Sequence, residues 1–213
     1  MQPYNPLDKD NLAKSVVDAL RRCDVLPLSQ TSELTGAGIY AIYYVGDLPI
    51  YGYLAAKNQD KLFEQPIYVG KAIPEGSRKG GVNSQKNKRK SQTPLRKRLS
   101  EHRSSIRSVA GLRVEDFFYR YLVVDDVWIP LGERMAIAMF QPVWNVVVDG
   151  FGIHTPGRGR KRQARSLWDT LHPGRKLAKR HPKNALAASA IETRLLNFFA
   201  GRAVPEPPSG IEE

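Results

Sequence analysis

The sequence predicts an α/β domain of the α+β type, with a few short strands flanked by helices. Three observations lead there. The runs 38–45, 66–70 and 117–124 are short and rich in β-branched and aromatic residues, the composition of strands. Stretches near 10–23, 95–109, 131–140 and 185–200 read as helices from their apolar spacing and composition. The chain has 213 residues and is 41% hydrophobic, enough to build the core of a single domain over 1–213.

In chain order, residues 10–23 place Leu12, Val16, Ala19, Leu20 and Cys23 on one helical face. Cys23 is the only cysteine, so an internal disulfide and a cysteine-based zinc site are both excluded, and it reads as a small core hydrophobe. A connector, "LPLSQTSELTGAG", leads to the first strand, where alternation puts Tyr40, Ile42 and Tyr44 on one side. Residues 46–65 form a long connection, helical around 54–63, before a second strand antiparallel to the first. The loop 73–94 is too long for a plain turn, and long loops in compact domains are usually functional or disordered. After the third strand, the helix 131–140 is stopped by Pro142. "WNVVVDGFG" then leads into the Gly-, Pro- and Arg-rich stretch "HTPGRGRKRQAR". No apolar run approaches the ~20 residues that cross a bilayer. The start, "MQPYNPLDKD", lacks the basic and apolar regions of a signal peptide, so a cytoplasmic protein is expected.

Net charge is +12 and the isoelectric point is about 9.9. Residues 71–107 hold twelve Lys/Arg against two acids, and residues 158–183 hold ten against one, which leaves the remainder net negative. Charge gathered into two segments implies a polyanionic partner. Lys86, Lys88, Arg89 and Lys90 in the first, and Arg158, Arg160, Lys161 and Arg162 in the second, are the candidate contacts to that polyanion. Neither segment pairs its charge with a bulky apolar face, which argues against a membrane surface.

Two helices carry candidate chemistry. In "LRKRLSEHRSSIRSV", Leu95, Leu99 and Ile106 form an apolar stripe, and Arg98 and His102, four apart, stack at its margin. By itself this is an amphipathic helix with a polar margin, or a fixed cation beside a titratable base. In "LGERMAIAMF", Glu133 shares a face with Ala136, Ile137 and Phe140, where a carboxylate needs compensation by an arginine or a divalent cation. A hard oxygen ligand near a nucleic-acid surface suits Mg²⁺, which takes one or two carboxylates and keeps several waters. Asn145, beside Trp144, taken alone is a turn or capping group.

The ordered set "GIY" at 38–40, "YVG" at 68–70, Arg98 with His102, Glu133 and Asn145 resembles the GIY-YIG nuclease superfamily over about residues 36–146. "YVG" for "YIG" is a conservative departure, and 46–65 stands as an insertion between the motifs. The stretches "GAGIYAIYY", "PIYVGKA", "PVWNVVVDGFGIHTPG" and "WDTLHPGR" further resemble a branch of small type II restriction endonucleases that cut a GC-rich palindrome, CCGCGG. The resemblance implies a three-stranded antiparallel sheet flanked by helices. A helical extension would precede it at 1–35, and a basic DNA-contacting segment with a last helix would follow at 147–213. It implies Tyr40, Tyr68, Lys71, Arg98, His102, Glu133 and Asn145 as catalytic residues, with Glu133 holding one Mg²⁺ per active site.

In that reading Tyr40 contacts the attacking water as general base, with His102 as the acceptor of its proton or as the direct base. Arg98 meets the charge that builds on the phosphoryl oxygens, Tyr68 and Lys71 contact the phosphate, and Asn145 positions Glu133 or the phosphate. A palindrome has two-fold symmetry, so the partners are double-stranded DNA and a second copy of the chain, with a cognate DNA methyltransferase expected in the same system. Leu54, Leu62 and Phe63 in the insertion, with the N-terminal helix, are the expected apolar interface. Three other classes use such a core, of which a transposon-type or homing nuclease would normally add a separate DNA-binding module. A structure-specific repair or recombination nuclease usually adds domains. A non-catalytic nucleic-acid-binding protein would sit on a degenerate core, against which the intact Tyr40, Tyr68, Arg98, His102 and Glu133 argue.

Overall fold

The computed structural model of the chain describes residues 8–74, 93–153 and 163–204. The central strand, β2 (Gly38–Tyr44), is buried along all seven residues. It pairs antiparallel with β3 (Tyr68–Ala72) on one side and β4 (Phe117–Val123) on the other. A two-residue strand β1 (Leu26–Pro27) joins the far side of β4, so the order is β1-β4-β2-β3 and β3 is an edge. The sheet therefore has four strands where three were expected. Two residues are too few to show a period-2 pattern, and Pro27, lacking an N–H, suits an edge position.

Alternation along β2 divides the core. Ile39, Ala41 and Tyr43 pack with Val17 and Leu20 of α1 (Lys9–Arg22) and with Ile129, Ala136 and Phe140 of α4 (Ile129–Phe140). Tyr40, Ile42 and Tyr44 face the opposite layer. That layer comprises α3 (Pro94–Arg107), the short α5 (Val143–Val146) and α6 (Leu167–Leu171), and α7 (Ala188–Phe199). Because both faces are covered, the strand is tyrosine-rich without a polar side. Cys23 is not a core residue: it is partly exposed beyond the end of α1, and its thiol donates to the Ala19 carbonyl at 3.3 Å.

The segment 46–65 is folded into the core rather than projecting as an appendage. It runs through a 3₁₀ turn (Pro49–Tyr51), α2 (Gly52–Asn58) and a second turn (Gln59–Lys61). Tyr51 and Leu54 are buried in the layer that holds α3. This corrects the expected interface: Leu54 and Phe63 lie in the protein's own core, and only Leu62, 56% exposed, faces outward. Asn58 closes the segment, donating to the carbonyls of Tyr44 and Gln65 and accepting from the Gln65 amide.

The C-terminal third completes the same core with Val147, Val148, Phe151, Trp168, Ile191 and Leu195. Tyr51 joins the two halves: its hydroxyl accepts from Trp144 Nε1 at 2.8 Å and lies 2.7 Å from His172 Nε2. The basic segment 158–183 is therefore not wholly a DNA-facing arm, since Arg175 within it is buried against Asp169. The eight predicted DNA contacts, Lys86, Lys88, Arg89, Lys90, Arg158, Arg160, Lys161 and Arg162, lie outside the described residues. Among the described residues, no helix is long and apolar enough to cross a membrane.

Burial pushes the His172 imidazole down from 6.5 to about 4, against a small opposing pull from Asp169. The unfolded chain thus takes up this proton first as pH falls. The stability held by neutral His172 is complete above about pH 6.5 and is lost on acidification toward pH 4. We expect this one group to account for on the order of 3 kcal/mol of the loss. Urea unfolding of His172→Gln should show a flatter dependence on pH across that window than the parent protein.

Candidate active site

Strand β3 delivers side chains to both sheet faces at the open edge. Tyr68 and Ala72 point to the α3 layer, while Val69 packs in the α4 layer and Lys71 reaches Glu133 of α4. On the α3 side, the Tyr40 hydroxyl lies 2.7 Å from His102 Nε2. Tyr68 packs beside both, with ring centroids 6.4 Å from Tyr40 and 5.0 Å from His102. Gly70, the glycine of "YVG", makes this approach possible. A Cβ there would overlap the Tyr40 hydroxyl and come within 2.6 Å of its ring carbon Cζ.

Helix α3 places its stripe as predicted, with Leu95, Leu99 and Ile106 buried. His102 departs from the prediction, because it is fully buried (0% exposed) instead of marginal. A helical wheel cannot foresee this, since the cover comes from a distant turn. The ring of Phe151 stacks on His102 with centroids 4.5 Å apart and planes 23° from parallel. Arg98 remains 30% exposed, pairs with Glu101 at 3.0 Å and donates through Nη2 to the Gly152 carbonyl at 3.1 Å. Gly152 must also be small, because a Cβ there would overlap the Tyr68 hydroxyl.

Burial pushes the Tyr40 phenol well above its ordinary value, with Tyr68 adding to the rise and Arg98 the largest opposing influence. Burial likewise pushes Tyr68 up to about 12, again against Arg98. The Glu133 carboxylate raises both, so its charge is felt across the strand. Both phenols are therefore protonated at neutral pH, and the Tyr40 hydroxyl shares a hydrogen bond with His102 Nε2.

On the α4 side, Glu133 is 19% exposed and its carboxylate is bound by Lys71 Nζ at 2.5 Å. The compensating partner is thus a lysine, not the arginine weighed from the sequence. Among the described residues, no three His, Cys, Asp or Glu side chains lie close enough together to cage a metal. A single hard carboxylate still fits Mg²⁺, which is typically held by one or two carboxylates with water and substrate phosphate completing the shell. It does not fit a closed zinc cage.

Asn145 binds the backbone of β3. Its side-chain amide accepts from the Val69 N–H at 2.8 Å and donates to the Val69 carbonyl at 2.9 Å. It thereby satisfies the outer rim of β3 as a neighbouring strand would, between Tyr68 and Gly70. It does not bond Glu133 in this structure.

The structure thus brings Tyr40, Tyr68, Arg98 and His102 together on one side of β3, sets Lys71 and Glu133 on the other, and puts Asn145 on its rim. Sequence reasoning missed Glu101, Phe151 and Gly152. Glu101 had a detectable signal in its three-residue spacing from Arg98. Phe151 and Gly152 had only the "DGFG" turn signature, which says nothing of where a turn packs. No curated protein matches the chain. A family match described as the Eco29kI GIY-YIG domain covers residues 32–199, taking in β2, β3 and β4, both sides of the site and the C-terminal elements. The chain belongs to this family of GIY-YIG restriction endonucleases.

Proposed function

We propose that the chain is a type II restriction endonuclease that hydrolyses both strands of DNA at a GC-rich palindrome, with CCGCGG the candidate site, and that it requires Mg²⁺. The observation that carries this reading is the buried 2.7 Å contact between Tyr40 and His102, with Arg98 in the same pocket. A phenol held well above its ordinary pKa is not itself a standing base. It serves instead as a relay. As water attacks phosphorus in line, the Tyr40 oxygen takes the water proton while its own proton passes to His102 Nε2. The P–O bond to the departing oxygen breaks as the new one forms. This keeps Tyr40 as the group that touches water and makes His102 the proton store.

Arg98 presents a guanidinium to the charge that builds on the phosphoryl oxygens. Tyr68 donates its hydroxyl to the same phosphate. Glu133 would hold Mg²⁺, which when bound stabilises the negative charge of the leaving oxygen. Lys71, at Glu133 in the protein alone, turns its ammonium to the phosphate. Asn145 fixes the strand that carries Tyr68 and Lys71. The basic residues at 86–90 and 158–162 would hold the duplex, mostly through phosphates. A bidentate arginine on guanine O6 and N7 is the commonest specific contact and suits a GC-rich target.

Unmethylated plasmid incubated with the protein and Mg²⁺ should give discrete fragments. A smear or a preference for branched DNA would favour a repair nuclease, and no change would favour a non-catalytic binder. Glu133→Gln should abolish cutting while duplex binding in a filter assay persists, since it removes a metal ligand and not a phosphate contact; full cutting by this variant refutes the assignment.

Tyr40→Phe keeps the ring and removes only the relaying hydroxyl. Its single-turnover rate should fall at least ~10²-fold, the scale of acid–base catalysis. Near-normal turnover would leave His102 as the direct base. Arg98→Lys should also fail, because a point charge does not reproduce a planar fork.

We further propose a homodimer on DNA, each protomer cutting one strand of the palindrome. Light scattering should give a protein mass of about twice the 23.9 kDa chain on the duplex. A 1:1 complex with full double-strand cutting would show that one protomer acts twice.

A further inference from the structure

Arg175 is a buried cation remote in sequence from the site and given no role by the reading above. Its guanidinium forms a fork with Asp169, Nε to Oδ1 and Nη2 to Oδ2, both at 2.6 Å. The remaining N–H groups go to one turn. Nη1 donates to the carbonyls of Ile153 at 2.8 Å and Phe151 at 3.3 Å, and Nη2 donates to Gly150 at 2.9 Å. The guanidinium plane lies over Trp168, 4.6 Å from the ring centroid. Both charged residues are nearly inaccessible, at 6% exposure each.

The outer surface of that turn is the wall of the active site. Phe151 stacks on His102 and meets the Tyr68 ring edge-on at 5.0 Å, and Gly152 accepts from Arg98. Asp169 is itself held, since its N–H and a carboxylate oxygen both meet the Ser166 hydroxyl at the start of α6. Gly174 packs so closely on the Ser108 carbonyl, just past α3, that a Cβ would overlap it. One rigid unit thus touches α3 at its end and, through the turn, at Arg98 and His102.

We propose that Arg175, locked by Asp169, is a positioning residue for cleavage. It holds the 150–153 turn so that Phe151 fixes the plane of the His102 ring and Gly152 aims the Arg98 fork. A lysine cannot replace it, because a single ammonium cannot serve a carboxylate and three carbonyls in one plane. The rate side of this proposal rests on the reading of Tyr40, His102 and Arg98 as the reacting site, and the geometric side does not.

The test uses the full chain and its Arg175→Lys variant, with cooperative thermal unfolding as the check on folding. The chain has four histidines, so the ring resonances can be assigned by substitution. The stacked Phe151 ring should displace the His102 ring resonance in the parent, and Arg175→Lys should move it back toward the ordinary value. In parallel, single-turnover cleavage should fall about 10–100-fold, the cost of small misplacements in an active site, while duplex affinity stays within about two-fold. If Arg175→Lys does not fold, Asp169→Asn, which keeps the shape and removes the charge, is held to the same two readouts.

A folded variant with an unmoved His102 resonance overturns the proposal. So does a moved resonance with an unchanged rate, or a rate loss matched by an equal loss of affinity, which would make Arg175 a DNA contact. His102→Gln that cleaves at the full rate brings down the reading of the site instead, and the resonance then decides the clamp alone.

Discussion

The free edge of β3 is the constraint on which the rest depends. β2 has a strand on each side and helices on both faces, so it can support a site but cannot open one to a large substrate. β3 has only one neighbouring strand, and its rim and both its faces can carry chemistry. Alternation then sorts the residues without further instruction. Tyr68 and the gap at Gly70 serve the α3 side, and Lys71 serves the α4 side. The cost of an open edge is an unpaired N–H and C=O, which Asn145 meets with the two ends of its amide. An edge otherwise exposed to other strands is closed at the residue between the two that matter most.

Burial does a second job beyond packing. Tyr40, Tyr68 and His102 lie in a pocket that raises the cost of any charge, and both phenols respond by holding their protons. Arg98 is the permanent charge beside them and works against that effect. On the other side of the strand, Lys71 and Glu133 neutralise each other. The protein alone therefore has its charges paired or suppressed, and a phosphate entering at the edge meets groups whose balance it must disturb. In a low-dielectric setting, each rearrangement of charge weighs more than it would in water.

The architecture was legible where pattern and space coincide. The face of Tyr40, Ile42 and Tyr44 follows from period two, and the buried stripe of α3 follows from 3.6. The ordered motif residues brought the site together, since each sits on an element whose face the pattern determines. What could not be read came from contacts between distant segments. His102 looked marginal because its cover, Phe151, lies in a turn 49 positions later. Leu54 and Phe63 looked available for a partner because no pattern in 46–65 says that Tyr51 would draw the segment inward. Arg175 was counted among DNA-facing cations, since composition cannot distinguish a cation that faces solvent from one enclosed by three carbonyls and a carboxylate. The missing strand at Leu26–Pro27 was below the length at which a pattern exists.

The bond from Tyr51 to Trp144 and His172 has a consequence for how the chain is made. The apolar surface around Tyr51 and Leu54 shares one core with Ile191 and Leu195, which are synthesised after every motif residue. A nascent chain that has already made both tyrosine motifs, Arg98, His102 and Glu133 still lacks the segment that closes its core. Long-range closure of this kind ties completion of the core to the emergence of α7. For a protein of a nuclease family, that order delays an enclosed site until α7 has been made, so a chain cut short ahead of α7 carries every motif residue without the enclosure that would arm them.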